Sequence, residues 1–249
     1  MIAAAVGGAI NSIAGGGTLV TFPALVALGV PPIVANATST VALWPGALGS
    51  LWGYRDELAG ARAWAVRFAL PSLLGGLIGA ILLLRTPSDR FDVIVPWLVL
   101  GATLLFVAQR PVMAAMRQRR TSVTPVDDDP AQRAPGAGLL LFQLGVGVYG
   151  GYFGAGIGIL MLAALGFMGF TNIHRMNGLK NWGGLCMNVV AAATFALQDI
   201  VNWPVAIAMA TGAILGGYGG SRLAQRVPQR WVRRAVVAVG FAAAIWLAL

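Results

Sequence analysis

The chain has 249 residues, of which 58% are hydrophobic and only 10% charged. A globular chain carries about 25% charged residues, so there is too little polar surface here to coat a water-facing sphere, and a typical soluble enzyme, a disordered chain and a nucleic-acid-binding domain are excluded. The net charge of +9 sits in short loops beside apolar runs, where basic residues act as topology signals.

Apolar runs broken by charge, Pro or Gly predict ten helical segments, roughly 2–14, 17–28, 33–53, 63–84, 92–109, 137–153, 156–168, 173–197, 204–221 and 231–249. The opening MIAAAVGGAI has no basic n-region, so a cleaved signal peptide is not expected. The first two segments meet at Gly15-Gly16-Gly17 and are short of the roughly 20 apolar residues a crossing needs. Asn11, Ser12 and Thr18 flank that break, and the third segment carries Asn36, Thr38, Ser39 and Thr40 in VANATSTVALWPG. After the fifth segment comes the polar stretch RPVMAAMRQRRTSVTPVDDDPAQRAPG. It divides a first transmembrane repeat, 1–109, from a second, 136–249, with 110–135 as a linker outside the membrane. The sixth and seventh segments meet at a second glycine cluster, Gly154-Ala155-Gly156. The eighth carries HRMNGLKNWGGLCMN, with Asn177, Lys180, Asn181 and Asn188 at helical spacings that place them on one face.

The two sets of five correspond. At an offset of 141, Gly75, Gly76 and Gly79 of LLGGLIGAILLLRTP fall on Gly216, Gly217 and Gly220 of ILGGYGGSRLAQRVP, and Arg85 and Pro87 fall on Arg226 and Pro228. The openings GGAINSIAGGGTLV and GVYGGYFGAGIGIL match with a two-residue slip. Short apolar segments interrupted by glycine at matching places in two halves point to a binding site built on broken helices, whereas the GxxxG pairs Gly75/Gly79 and Gly216/Gly220 read as close helix packing. If the linker is cytoplasmic and the second half inverted, the loops near 54–67, 110–135 and 222–234 share the inner side and hold 13 of the 17 basic residues. That distribution favours inversion over a parallel repeat. The expected fold is an all-α polytopic membrane protein of two inverted repeats, about five helical segments each, every repeat opening with a Gly-broken short helix pair.

Catalytic constellations are missing. His174 is the only histidine and Cys186 the only cysteine, so no metal set, no Cys/His nucleophile and no intrachain disulfide can be assembled; no cofactor is expected. Polar groups inside apolar segments are costly unless paired or functional. The Asn, Ser and Thr residues read either as site or as hydrogen-bonding glue between helices, and Lys180 either as an anion ligand or as a side chain snorkelling to the surface. At the 141 offset Asn36 falls on Asn177 and Ser39 on Lys180, neutral donors against a cation. The reading is a transporter of a small anion; a passive anion channel and a membrane-embedded enzyme or assembly subunit are the alternatives.

These residues bring a family into view. The stretch GGAINSIAGGGTLVTFPALVALGVPPIVANATSTVALWPGALGS resembles the first half of the sulfite exporter TauE/SafE family of bacterial membrane transporters, and NGLKNWGGLCMNVVAAATF with DIVNWPVAIAMATGAILGGYGG resembles its second half. The resemblance covers nearly the whole chain except the central linker. It implies a multi-pass protein of the bacterial inner membrane that moves small sulfur-containing anions, sulfite or organosulfonates, with Asn36 to Ser39 and Asn177 to Lys180 as pseudo-symmetric parts of one site. The expected binding residues are Asn11, Ser12, Gly16, Gly17, Thr18, Asn36, Thr38 and Ser39 from the first half and Gly154, Gly156, Asn177, Lys180 and Asn181 from the second. The expected partners are a small anionic substrate and the lipid bilayer, with no nucleic acid and homo-oligomerisation left open.

Overall fold

The computed structural model describes residues 1–14, 16–53, 55, 58, 61–121, 135–168, 170, 172–223 and 229–249, and within these helices the side chains of 12–14, 49–50, 52–53, 109–110, 112–121, 167, 173, 217–223 and 229–233 are outside the description. The described residues form ten helices and no strand: α1 Ile2–Ala14, α2 Thr18–Ala27, α3 Pro32–Gly53, α4 Arg62–Arg85, α5 Ser88–Thr121, α6 Ala137–Tyr152, α7 Ile157–Phe167, α8 Ile173–Leu197, α9 Trp203–Leu223 and α10 Gln229–Ala248. Each matches one apolar run of the sequence. α5 is the exception in length: it continues through Thr121, beyond the expected end near 109, because MAAMRQRR is polar but made of strong helix formers.

Among the described residues, α4 and the Ser88–Ala108 part of α5 are long and apolar enough to cross a bilayer, with mean hydropathy 1.9 and 2.1. Their outward surface is apolar too: Leu74, Leu77, Ile78 and Leu82 of α4, with Leu104 and Val107 of α5, are exposed. In water such a surface would be an aggregation hazard; in lipid it is the required solvent face.

Packing exchanges elements between the halves. α4 lies against α6 and α8, α9 lies against α1 and α3, and α3 meets α8 while α5 meets α10. The close pairs depend on glycine. A Cβ on Gly75 would stand 2.8 Å from the Gly147 Cα, and one on Gly79 would stand 2.7 Å from the Tyr152 amide nitrogen. Only the absence of side chains lets these backbones approach.

Contacts also fix direction. Along α4 and α6, Gln143 Nε2 donates to Ser72 Oγ at 2.9 Å, Gly79 faces Val148 and Tyr152, and Thr86 Oγ1 lies 3.3 Å from Tyr152 Oη, so both helices run the same way. α8 follows them, Trp182 being tied to Ala65 and Gly76 seated on Met187. α9 follows α3, with Asn202 held by Thr38 and Gly46 facing Ala213. α1 and α2 fold back on one another, Gly7 against Thr21, and α2 and α3 do the same, Thr21 bonding Ser39 at 2.6 Å. Hence α1, α3 and α9 are parallel. The start of α3 lies at the end of α4, because Asn36 Nδ2 donates at 2.8 Å to the carbonyl of Tyr152, whose hydroxyl meets Thr86. The set α1, α3, α9 therefore runs opposite to the set α6, α8, α4.

Candidate substrate cavity

Each half opens with a helical hairpin whose turn is built from glycine. Gly154 and Gly156 both adopt φ +81, a left-handed conformation that costs L-residues but not glycine. The turn is braced by Tyr149 Oη, which donates to the Ala155 carbonyl at 2.8 Å. In the first half, Gly16 packs beneath the Phe106 ring, and Gly17 is pressed against Gly7 and Asn11. Gly156 lies against Ala102 and Leu105, so both turns meet the same stretch of α5. Phe22 of α2 and Phe153 of the second turn are in edge contact at 5.3 Å, which joins the hairpins directly.

Between the hairpins, α3 and α8 is a cavity of about 60 Å³, several times the roughly 10–15 Å³ that one water needs. The first hairpin contributes Asn11 and Thr18, and the second contributes Gly154, Ile157, Gly158 and Met161. α3 adds Thr40, Leu43 and Ala47; α8 adds Lys180, Asn181, Gly184, Leu185 and Asn188. Both α2 and α7 begin at this cavity and bring the positive ends of their dipoles to it, while the N–H groups of Leu19 and Val20 and of Ile159 are already taken by the carbonyls of Gly16, Gly17 and Gly156.

Lys180 is 4% exposed, so it does not snorkel, and its Nζ has no hydrogen-bond partner among the described residues. The same holds for Asn181 Nδ2. Two buried donors without partners among the described residues are expensive, and both belong to residues of the cavity lining.

Of the residues expected from sequence, Asn11, Thr18, Gly154, Lys180 and Asn181 stand together on this wall. Gly16, Gly17 and Gly156 shape the turns that carry it. Asn36, Thr38 and Ser39 stand elsewhere, buried and engaged with protein: Asn36 Nδ2 holds the Tyr152 carbonyl, Thr38 Oγ1 accepts the Asn202 N–H at 3.0 Å, and Ser39 shares a hydrogen bond with Thr21. Asn177 lies on α8 one turn before the wall, and the Ser12 side chain falls outside the described residues. His174 is exposed in the first turn of α8, where its backbone N–H is capped by Asn172 Oδ1 at 2.9 Å. Among the described residues, no group of three or more His, Cys, Asp or Glu is placed to hold a metal.

Thr40 and Asn188, read from sequence as site or interhelical glue but not among the expected binding residues, join the wall. The signal was present, since Asn188 shares the α8 face of Lys180 and Asn181. At the 141 offset Thr40, Leu43 and Ala47 fall on Asn181, Gly184 and Asn188. The two halves thus offer corresponding faces to one cavity.

The family described as sulfite exporter TauE/SafE matches residues 1–247. A probable membrane transporter protein of Haemophilus influenzae is 31% identical over 93% of this chain and 86% of its own length. A probable membrane transporter protein of a Sinorhizobium species, ORF9, is 31% identical over 99% of this chain and 90% of its own. A third, YfcA of Escherichia coli K12, is 30% identical over 93% and 82%. No solved structure matches the chain.

Proposed function

The chain belongs to the sulfite exporter TauE/SafE family, and from that premise we propose that it is a secondary transporter of a small sulfur-containing anion, sulfite or an organosulfonate, in the bacterial inner membrane. The observation that carries the reading is the pair Lys180 and Asn181, two residues of the cavity lining whose Nζ and Nδ2 are buried with no hydrogen-bond partner among the described residues. Sulfur oxyanions present several acceptor oxygens and at least one negative charge, which matches one cation, the Asn and Thr donors of the wall and two helix starts.

The mechanism follows from the two opposed helix sets. Read as inverted repeats, α1 to α5 and α6 to α10 are related by an axis in the membrane plane, and the cavity lies between them near the bilayer centre. Rocking of one set against the other exposes the cavity alternately to each side. The arginine-rich loops after α3, α5 and α9 would then share the cytoplasmic side. In this reading Asn11, Thr18, Lys180, Asn181, Thr40 and Asn188 hold the anion. Gly154 and Gly156 shape the hairpin, and Asn36, Thr38 and Ser39 hold the helices that carry the wall.

The test is uptake of sulfite and of short alkanesulfonates into proteoliposomes, with and without an imposed proton gradient. Saturable uptake that is abolished in Lys180→Met is expected. Large voltage-driven currents would overturn the carrier in favour of an anion channel, and unchanged uptake in Lys180→Met would overturn the site.

A further inference from the structure

One packing contact occurs twice in the bundle, once apolar and once polar. Gly8 of α1 lies against the backbone of Ala213 in α9, and Gly147 of α6 lies against that of Ser72 in α4. Ser72 falls on Ala213 at the 141 offset, and Gln143 falls on Ala4 at 139, the offset that the two-residue slip of the hairpins gives. Ser72, Gln143, Ala213 and Ala4 are all fully buried. Two alanines suffice to pack α1 on α9, so packing alone does not call for a serine and a glutamine between α4 and α6. A side-chain amide buried in a membrane bundle is costly unless paired or functional.

The polar pair is incompletely satisfied. Ser72 Oγ donates to the Phe68 carbonyl at 2.6 Å and accepts from Gln143 Nε2 at 2.9 Å. Because a hydroxyl has a single proton, this chain of bonds fixes which way round the amide sits. It leaves Gln143 Oε1 buried without a partner among the described residues. The pair adjoins the bare face of Gly183 in α8: a Cβ there would stand 3.1 Å from Gln143 Nε2 and 3.4 Å from Ser72 Oγ, with the Met161 methyl crowding the same point. Met161 also lines the cavity, so one flexible thioether connects the cavity lining to the Gln143 amide.

Lys180 stands one turn before Gly183 on α8. Residues three apart on a helix share a face with Cβ atoms about 5–6 Å apart, a gap that a flexible four-carbon stem spans. A carrier that has delivered its anion returns with this ammonium uncompensated, and a buried charge without a partner is strongly unfavourable. No carboxylate belongs to the cavity lining. Of the buried side-chain oxygens without a partner among the described residues, Asn36 Oδ1 lies at the start of α3, toward the far end of α8, and Gln143 Oε1 lies on the side of Lys180. The matching position of Lys180 is Ser39, whose hydroxyl is met by Thr21; it has no charge to place, and the residues matching the polar pair are alanines.

Resting on the transporter reading of the cavity, we infer that Gln143 Oε1 is a second docking place for the Lys180 ammonium, reached when Met161 swings aside. Gln143, oriented by Ser72, is thus a positioning residue for the return of the unloaded carrier. With anion bound, Lys180 is held at the cavity; after release, the amide oxygen takes the ammonium while the helix sets reorient.

The test separates the return step from the loaded step. The full-length protein is reconstituted in proteoliposomes with radiolabelled sulfite or methanesulfonate, whichever the unmodified chain moves faster. Two rates are compared: net uptake into empty vesicles, and exchange into vesicles preloaded with the same unlabelled anion. Exchange needs only the loaded carrier to reorient, whereas net uptake also needs the unloaded carrier to return. Gln143→Leu, which keeps bulk and removes the amide, is expected to slow net uptake at least tenfold and exchange less than threefold. Ser72→Ala, which removes the group orienting the amide, is expected to slow net uptake about threefold and leave exchange unchanged, and it carries the test where Gln143→Leu does not fold. Equal loss of both rates, or loss of neither, overturns the inference. Exchange without net uptake in the unmodified protein overturns it too and leaves the transporter reading standing, whereas absence of both rates overturns the two together.

Discussion

At the scale of single residues, two buried polar side chains show how differently the same cost is met. Thr38 is fully buried and its hydroxyl accepts the N–H of Asn202, the residue at the entry to α9. Lys180 is nearly as buried and its Nζ has no acceptor among the described residues. Removing the Thr38 hydroxyl orphans a backbone donor and should destabilise by about 1–3 kcal/mol. Removing the Lys180 amine deletes a buried, unmatched cation and should leave stability equal or higher. Thermal melts in detergent, paired with methanesulfonate binding, check both. Thr38→Val is expected to melt lower with affinity changed less than threefold, and Lys180→Met to melt no lower with binding lost. A Thr38→Val protein of unchanged stability that no longer binds would return Thr38 to the ligand shell. Sequence alone made Lys180 legible, because a cation in an apolar run has few neutral explanations. It placed Asn36, Thr38 and Ser39 among the binding residues, because spacing does not name tertiary partners such as Tyr152, Asn202 and Thr21. Leu43, Ala47 and Met161 were illegible for another reason: an apolar wall of a cavity and an apolar core have the same composition.

At the scale of elements, the ten segments were readable because glycine, proline and charge interrupt each apolar run, and the largest departure, the end of α5, lies where helix-forming polar residues continue the helix after apolarity stops. What the runs did not reveal is which helices pair. α4 joins α6 and α8 of the other half, and the clue was the GxxxG spacing of Gly75 and Gly79, which marks a close approach without naming the partner. Glycines in this chain therefore make contrasting demands. Gly79→Leu must force apart α4 and α6 against the backbone of Val148, Gly151 and Tyr152, and overpacking of this kind costs about 1–3 kcal/mol, more where backbone must move. Gly101 lies mid-helix in α5 with open space where a Cβ would stand, and alanine there should gain up to about 1 kcal/mol from helix propensity. Melting temperatures of the two variants should move in opposite directions. If Gly79→Leu melts like the unmodified protein, the glycine-mediated α4/α6 contact is not holding the bundle.

At the scale of the whole molecule, the opposed helix sets make a statement about faces. α3 begins where α4 ends, so Leu28, Ser88 and Gln198, which stand beside the start of α3, the start of α5 and the end of α8, belong to one face of the bundle. Pro111 and His174, far along α5 and at the start of α8, belong to the other, together with the arginine-bearing loop at Arg55 and Arg62. Each of these five residues is exposed, and Cys186, the only natural cysteine, is buried, so single cysteines placed at them report cleanly. In oriented membrane vesicles, a membrane-impermeant thiol reagent applied to one side is expected to label Leu28→Cys, Ser88→Cys and Gln198→Cys together. Applied to the other side, it should label Pro111→Cys and His174→Cys. The side carrying 111 and 174 should be cytoplasmic, because basic loops are retained there. Labelling of positions 88 and 174 from the same side would overturn the opposed arrangement of the helix sets, and with it the inverted-repeat, alternating-access reading proposed for the chain.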